Sequence, residues 1–541
     1  MKRWARTFTL ICASVWLTAC TRPVATYPSG ADVALFAEMG DHHRPVSANS
    51  ELAQRYFDQG LTWAFAFNHD EAIRSFEQAA EFDPDCAMAW WGVALCHGPH
   101  INNAKMSDDR SAAAWAALEK AQVLKHHASA VEIELIDALS ERYEFPIPED
   151  RTPLDRAYAN AMASLWQAHP GDDDIGTLYA EAMMDLRPWD LWTFDGQAQP
   201  GTRRILEVLE DVLLLNPVHP GANHLYIHAV EPSPEFRRGI AAADRLRDMV
   251  PIASHLVHMP SHIDLRTGDW DGAVLQSEWA IAADRRYLEY VPEQGFYARY
   301  MAHNQRMLAY ACMMSGRSER ALQAARDLIA GVPEELARSR PGVIDSKWPI
   351  LYEILVRFGM WEDMLAEPAP PEYLPLSNTI WHIARGVSYA ATGNMEAAER
   401  ERDAFLVIAR ELPDDAKFEN SLASDFYIVA DLVLRGEIAF HRGDIEESIE
   451  LLRSAAELED RLAYDEPPIW VIPVRHALGA VLVQAGRYDE AEEIYREDLE
   501  TWPHNGWSLH GLATALRGQG RAEAANETDA RFERAWAHAD M

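Results

Sequence analysis

The chain has 541 residues, 48% of them hydrophobic, and carries 85 acidic against 49 basic side chains for a formal charge of −36. That length suffices for a large buried core or several domains. So acidic a surface repels nucleic acid and anionic membrane, which excludes both as partners held by charge.

The first residues read as an export signal. Lys2, Arg3 and Arg6 precede an apolar stretch over residues 8–16, then Leu17-Thr18-Ala19-Cys20. The stretch is too short for a permanent membrane span. The four-residue ending resembles the bacterial lipobox. That implies a signal peptide over 1–19, cleavage before Cys20 and lipid on Cys20. Thr21 implies the outer membrane, with the body facing the periplasm. Residues 20–50, with Pro23, Pro28 and Pro45, read as a flexible tether. No later run approaches the ~18 apolar residues of a membrane helix. Of the remaining cysteines, Cys86 and Cys96 fall about 15 Å apart on one helix, too far to bridge. These two and Cys312 are expected as small buried side chains.

From residue 52 onward, Ala-rich helical patterns recur with Gly-containing turns, and strand signals are nearly absent. The first unit holds Gly60, Trp63, Ala72, Phe76, Ala79 and Pro84. Gly60 and Ala72 are small where two helices cross, Phe76 fills the gap to the next unit, and Pro84 ends the second helix. Gly92, Gly268/Ala273, Gly316/Ala321, Gly386/Ala398, Gly436/Gly443, Gly479/Ala491 and Trp507/Gly511 mark further units. This pattern resembles the tetratricopeptide repeat (TPR). It implies an all-α, right-handed solenoid of roughly nine or ten helical hairpins over 52–541, with central repeats at 219–310 and C-terminal repeats at 375–535. The polar segment 521–537 is expected to cap it.

Three segments break the rhythm: 98–125, 187–201 and 286–300. The last two are rich in aromatics. They flank the histidine-rich units and either fold over them or pack on the outside of the solenoid.

His224 and His228 lie four residues apart, and His258 and His262 repeat that spacing 34 residues later. Each pair shares one helix face, and the offset is one repeat length, so the two helices should aim four imidazoles at one surface. In the resembled family the first helix of each pair lines a concave groove. On that pattern His255 and His303 also face the groove, and His97 ends an upstream groove helix, with His100 just beyond. His255 and His219 are less committed than the central four.

A divalent transition metal, such as zinc, iron or copper, is the expected cofactor, held by His224, His228, His258 and His262 as neutral imidazoles. Carboxylates to orient them are at hand in Glu231, Asp264, Glu181 and Asp185. Glu181, Glu231 or His303 are the candidates for second shell or general base. Pro260 either re-aims His262 or ends the helix. Near the C-terminus Arg475 and His476 lead another groove helix. Arg475 is placed to capture a carboxylate or, more simply, to form a structural ion pair.

The whole chain resembles bacterial TPR lipoproteins of the cell envelope. That resemblance implies an interaction module holding a peptide or protein in its groove. The histidines add a second reading, a metalloprotein and, with an open ligand position, a metal-dependent hydrolase or oxidoreductase.

Overall fold

The computed structural model describes residues 24–541. The expected signal peptide and Cys20 lie outside the described residues. No helix among the described residues is long and apolar enough to cross a membrane.

The described chain is an α-solenoid with 26 α-helices and two short two-stranded hairpins. Ser254–His258 and Pro260–Thr267 are one helix interrupted at Met259, and Glu334–Ser339 is a short extra turn. The remainder form twelve consecutive pairs, from Glu51–Phe65 with His69–Phe82 to Gly506–Gly518 with Ala522–Ala535. Roughly nine or ten had been legible. Pairs such as Ala130–Ser140 with Thr152–Ala168 lack the Gly and Ala landmarks that make other units recognisable.

The packing rule between pairs is visible at two places. A Cβ on Gly60 or on Gly92 would lie 2.8 or 2.6 Å from the Phe76 ring. A Cβ on Gly479 or Gly511 would meet Tyr495 at 2.5 and 2.1 Å. In each case an aromatic ring from the second helix lodges between the glycine of its own first helix and that of the next pair. Asn68, Asp269, Asn394 and Asn505 cap helix starts, each accepting from a backbone N–H in the first turn. Gly268 and Gly443, with φ of 78° and 96°, end helices in the left-handed region that glycine adopts without strain.

Residues 24–50 were expected as a loose tether, and the structure corrects this. Gln78 accepts from the amides of Asp32 and Val33, and Gln59 accepts from Phe36 N while donating to Ala34 O. The Phe36 ring packs on Trp63 at 5.6 Å, and the Arg44 guanidinium pairs with Asp172 and Asp174. Prolines and small residues suggested flexibility, but buried side-chain amides supply the partners that an extended strap needs.

The solenoid also bends back on itself. Phe65 O meets His224, Tyr464 meets Glu231, and Pro503 O accepts from Trp270 Nε1. The first repeats and the C-terminal repeats thus both pack against the central ones.

Phe76 is fully buried, so Phe76→Ala is expected to cost about 3–5 kcal/mol of stability, read as a lower denaturant midpoint. A loss under about 0.5 kcal/mol, typical of a surface change, would contradict this account of the repeat packing.

Candidate metal centre

His224 and His228 sit on the helix Pro220–Val230. His219 caps its start through Nδ1, accepting from Ala222 N, and Pro220 takes the first helical position. Gly221 lets the Phe65 ring come close, since a Cβ there would lie 2.5 Å from it. That approach brings Phe65 O to 2.7 Å from His224 Nδ1.

His255 and His258 come from Ser254–His258, and His262 from Pro260–Thr267. Pro260 does not ruin the geometry. Met259 keeps right-handed helical angles (φ −51°, ψ −38°), so the proline simply starts the second half of the helix and the histidine register carries through. His303 lies on Ala298–Met314.

The structure brings six histidines together, but not as one set of four. His224 and His228 group with His255; His258 and His262 group with His303. The reason is a stagger of one helical turn between neighbouring helices. His224 Nε2 faces His255 Nε2 at 3.1 Å, 31 residues on, and does not face His258, its repeat-equivalent. In the second group His258 Nε2 lies 2.6 Å from His262 Nε2 and 3.0 Å from His303 Nε2. Three nitrogens around a tetrahedral ion at 2.0–2.1 Å would lie about 3.3 Å apart, close to this spacing.

Hydrogen bonds fix which nitrogens face inward. Glu231 Oε1 accepts from His228 Nδ1–H at 2.7 Å, and Glu231 Oε2 accepts from His262 Nδ1–H and, at 3.2 Å, from the Tyr464 hydroxyl. Ser261 Oγ donates to His258 O at 2.7 Å and offers a lone pair to His258 Nδ1 at 3.2 Å. Phe65 O accepts from His224 Nδ1–H. With those protons on Nδ1, the Nε2 atoms of His224, His228, His258 and His262 present lone pairs. His228 Nε2 has no hydrogen-bond partner among the described residues. The bare lone pairs of His258 and His262, 2.6 Å apart, repel one another unless a cation draws them together.

Burial keeps these rings neutral. It pushes His224 and His262 down to about 3 and His228 to about 4, and holds His255, His258 and His303 well below the ordinary imidazole value. Burial also raises the Glu231 carboxyl, opposed by its bonds to His228 and Tyr464.

The expected open groove is closed at this level: His224 and His258 are 0% exposed and His228 3%. Both aromatic inserts fold over the site. Trp189 packs edge-on against His228 at 5.1 Å, and Trp192 Nε1 donates to Ala229 O. Tyr300 lies 4.4 Å from His255, and the Tyr297 hydroxyl meets Ser254 Oγ at 2.8 Å. Phe67, at a left-handed φ of 55°, touches the rings of His100, His224, His228 and His255. A narrow cleft lined by Ile101, Met184, Arg187, Trp189 and His228 encloses about 10 Å³.

Other expected residues fall elsewhere. Asp264 is bound by the Arg247 guanidinium, not by a histidine. Glu181 lies beside Asp185, which pairs with Arg142; burial pushes Glu181 up to about 8. His97 belongs to neither triad, and burial together with Arg110 pulls it down to about 4. Arg475 forms a two-pronged ion pair with Asp460 at 2.7 Å, and His476 is buried between Arg357 and Asp498. His303, expected as second shell or base, groups with His258 and His262 instead of standing behind them.

Tyr464 and Glu466 were missed. Glu466 Oε1 lies 3.5 Å from His262 Nδ1, and its Oε2 has no partner among the described residues. Both residues sit in a loop between repeats, which carries no periodic signal.

Residues 429–503 match the tetratricopeptide repeat family model. No curated protein matches the sequence. Among solved structures, the chain is similar to a monomeric IFIT1 mutant with Gppp-AAAA, at 13% identity over 91% of this chain and 92% of that one, TM-score 0.34. The human IFIT1 dimer with m7Gppp-AAAA gives 14% identity, the same coverages and TM-score 0.34. The APC/C hetero-tetramer Cut9–Hcn1 gives 13% identity over 89% of this chain and 76% of that one, TM-score 0.29. Scores this low transfer neither residues nor ligands.

The buried histidines predict an acid-sensitive apoprotein. Their folded pKa values lie below the ~6.5 of an unfolded chain, so on acidification the unfolded state takes up protons first. Their contribution is complete above pH ~6.5 and is lost as pH falls toward 4 and then 3. Metal-free protein should lose on the order of 1 kcal/mol per buried histidine for each pH unit below about 6. A thermal midpoint that stays flat between pH 7 and pH 5 would count against buried, neutral rings.

Proposed function

We propose that this chain is a metal-binding helical-repeat protein that holds a transition-metal ion on His258, His262 and His303. The convergence of three Nε2 atoms, those of His262 and His303 lying 2.6 and 3.0 Å from that of His258, carries this reading. Imidazoles kept neutral by burial are ready ligands, and Glu231 behind His262 plays the part of the carboxylate that orients a metal-bound histidine. A three-nitrogen set leaves a fourth position for water or substrate, the coordination of catalytic rather than structural sites. This favours metal-dependent chemistry as the second reading.

The peptide-binding reading finds less support at the centre of the solenoid, where the chain's own aromatic inserts and N-terminal repeat fill the histidine-lined face. A peptide or protein partner would use another part of the superhelix. The basic start, the apolar stretch and the Leu-Thr-Ala-Cys20 ending support lipid anchoring in a bacterial envelope.

Elemental analysis after loading with copper, zinc or cobalt tests the metal. At least one ion per chain should survive desalting, and chelation should lower the thermal midpoint. His258→Ala should abolish retention at this triad while circular dichroism stays helical. Protein that retains none of the ions offered, and whose midpoint ignores chelators, would sink the proposal.

A further inference from the structure

Taking the metal reading above as its premise, we infer that His224, His228 and His255 hold a second ion beside the first. The pocket is then a dinuclear centre with six imidazole ligands, and copper(I) is the ion it suits.

The second triad has the same construction as the first. His224 Nε2 and His255 Nε2 lie 3.1 Å apart, and a nitrogen of His228 lies within ligand distance of both. His224 is pinned by Phe65 O through Nδ1, and His228 by Glu231 through Nδ1, so both turn Nε2 into the pocket. His228 Nε2 is fully buried and has no partner among the described residues. A buried orphan nitrogen costs free energy that a ligated ion removes.

The two triads adjoin. The rings of His228 and His262 touch edge-on at 5.5 Å, and His255 and His258 stack at 6.1 Å. Glu231 is shared, binding one histidine of each triad. A different grouping, His228 with Glu231, His262 and Glu466, is also within ligand distance. It draws one histidine from each triad, so it cannot be filled together with them.

Charge selects the ion. Six neutral imidazoles contribute nothing to balance a cation, and Glu231 is the carboxylate both triads share. Two divalent ions would put four positive charges in a dry pocket, where opposition between them is weakly screened. Two monovalent copper ions halve that load. The donor set agrees: imidazole suits copper, whereas manganese and magnesium favour carboxylate oxygens, and the oxygens of Glu231 are taken up by Nδ1–H and hydroxyl donors. The cleft that has His228 in its lining encloses about 10 Å³, room for about one water.

Anaerobic loading with copper(I), and separately with zinc(II), followed by desalting and elemental analysis, tests this. Wild-type protein should retain two copper ions, His255→Gln and His303→Gln one each, and the double variant none, all with unchanged circular dichroism. After ferricyanide oxidation, wild type should give a spin-coupled EPR spectrum and His255→Gln the spectrum of isolated copper(II). One copper in wild type, unaffected by His255→Gln, overturns the second ion and leaves the first. Two copper ions with uncoupled spectra overturn the adjacency. Two zinc ions retained in place of copper overturn the choice of metal. No ion of any kind overturns the premise itself.

Discussion

The carboxylate of Glu231 is the joint on which the pocket depends. It is fully buried, and a buried carboxylate is costly unless its lone pairs are filled. Here His228, three residues away, His262, in the next repeat, and Tyr464, 233 residues away, all donate to it. One side chain therefore ties two groove helices and a C-terminal loop together. The same bonds hold the protons of His228 and His262 on Nδ1, so the inward-facing nitrogens are lone pairs rather than donors. Without that carboxylate the two rings would lose both their tautomer and their orientation.

Neutral imidazoles require a dry environment, and a helical-repeat solenoid does not supply one by default, because its inner face is open to solvent. This chain closes that face with pieces that break its own repeat rhythm. The insert over 187–201 covers His228, the insert over 286–300 covers His255, and the first repeat delivers Phe65 and Phe67. Phe67 holds a left-handed backbone angle, a conformation that costs a non-glycine residue on the order of 1 kcal/mol. The next residue, Asn68, caps the helix that follows by accepting from Glu71 N, and the Phe67 ring meets four imidazoles. A strained backbone at the point of closest contact with the site is where such strain is usually found.

The fold was largely legible because repeat packing writes itself into sequence: Gly60, Phe76 and Gly92 are a steric requirement, and so are Gly479, Tyr495 and Gly511. Pairs built without such glycines left no mark, and the count fell short. The strap over 24–50 misled because its order comes from Gln59 and Gln78, whose partners are backbone groups of a segment with no periodicity of its own. At the site, the i, i+4 pairs were readable, and folding over the histidines was one of two placements left open for the aromatic inserts. Tyr464 and Glu466 were not, because a loop more than 200 residues downstream reaches the pocket only through the curvature of the whole superhelix. Arg475, Asp264 and Glu181 were chemically plausible partners, but each already has a nearer opposite charge or carboxyl neighbour.

The division into triads follows from one number. Repeat equivalents lie 34 residues apart, and a sequence reading pairs His224 with His258 and His228 with His262. The contacts that form, His224 to His255 and Glu231 to His262, both span 31 residues. Adjacent helices therefore meet one turn out of register, about the three residues by which these spans differ. That stagger pulls His255 into the first group and leaves His258 and His262 in need of a third nitrogen, which His303 supplies from the following pair. A four-histidine motif read at perfect register becomes, after one turn of slip, two three-nitrogen sets. The same slip slides Glu231 under His262 and makes a single carboxylate common to both.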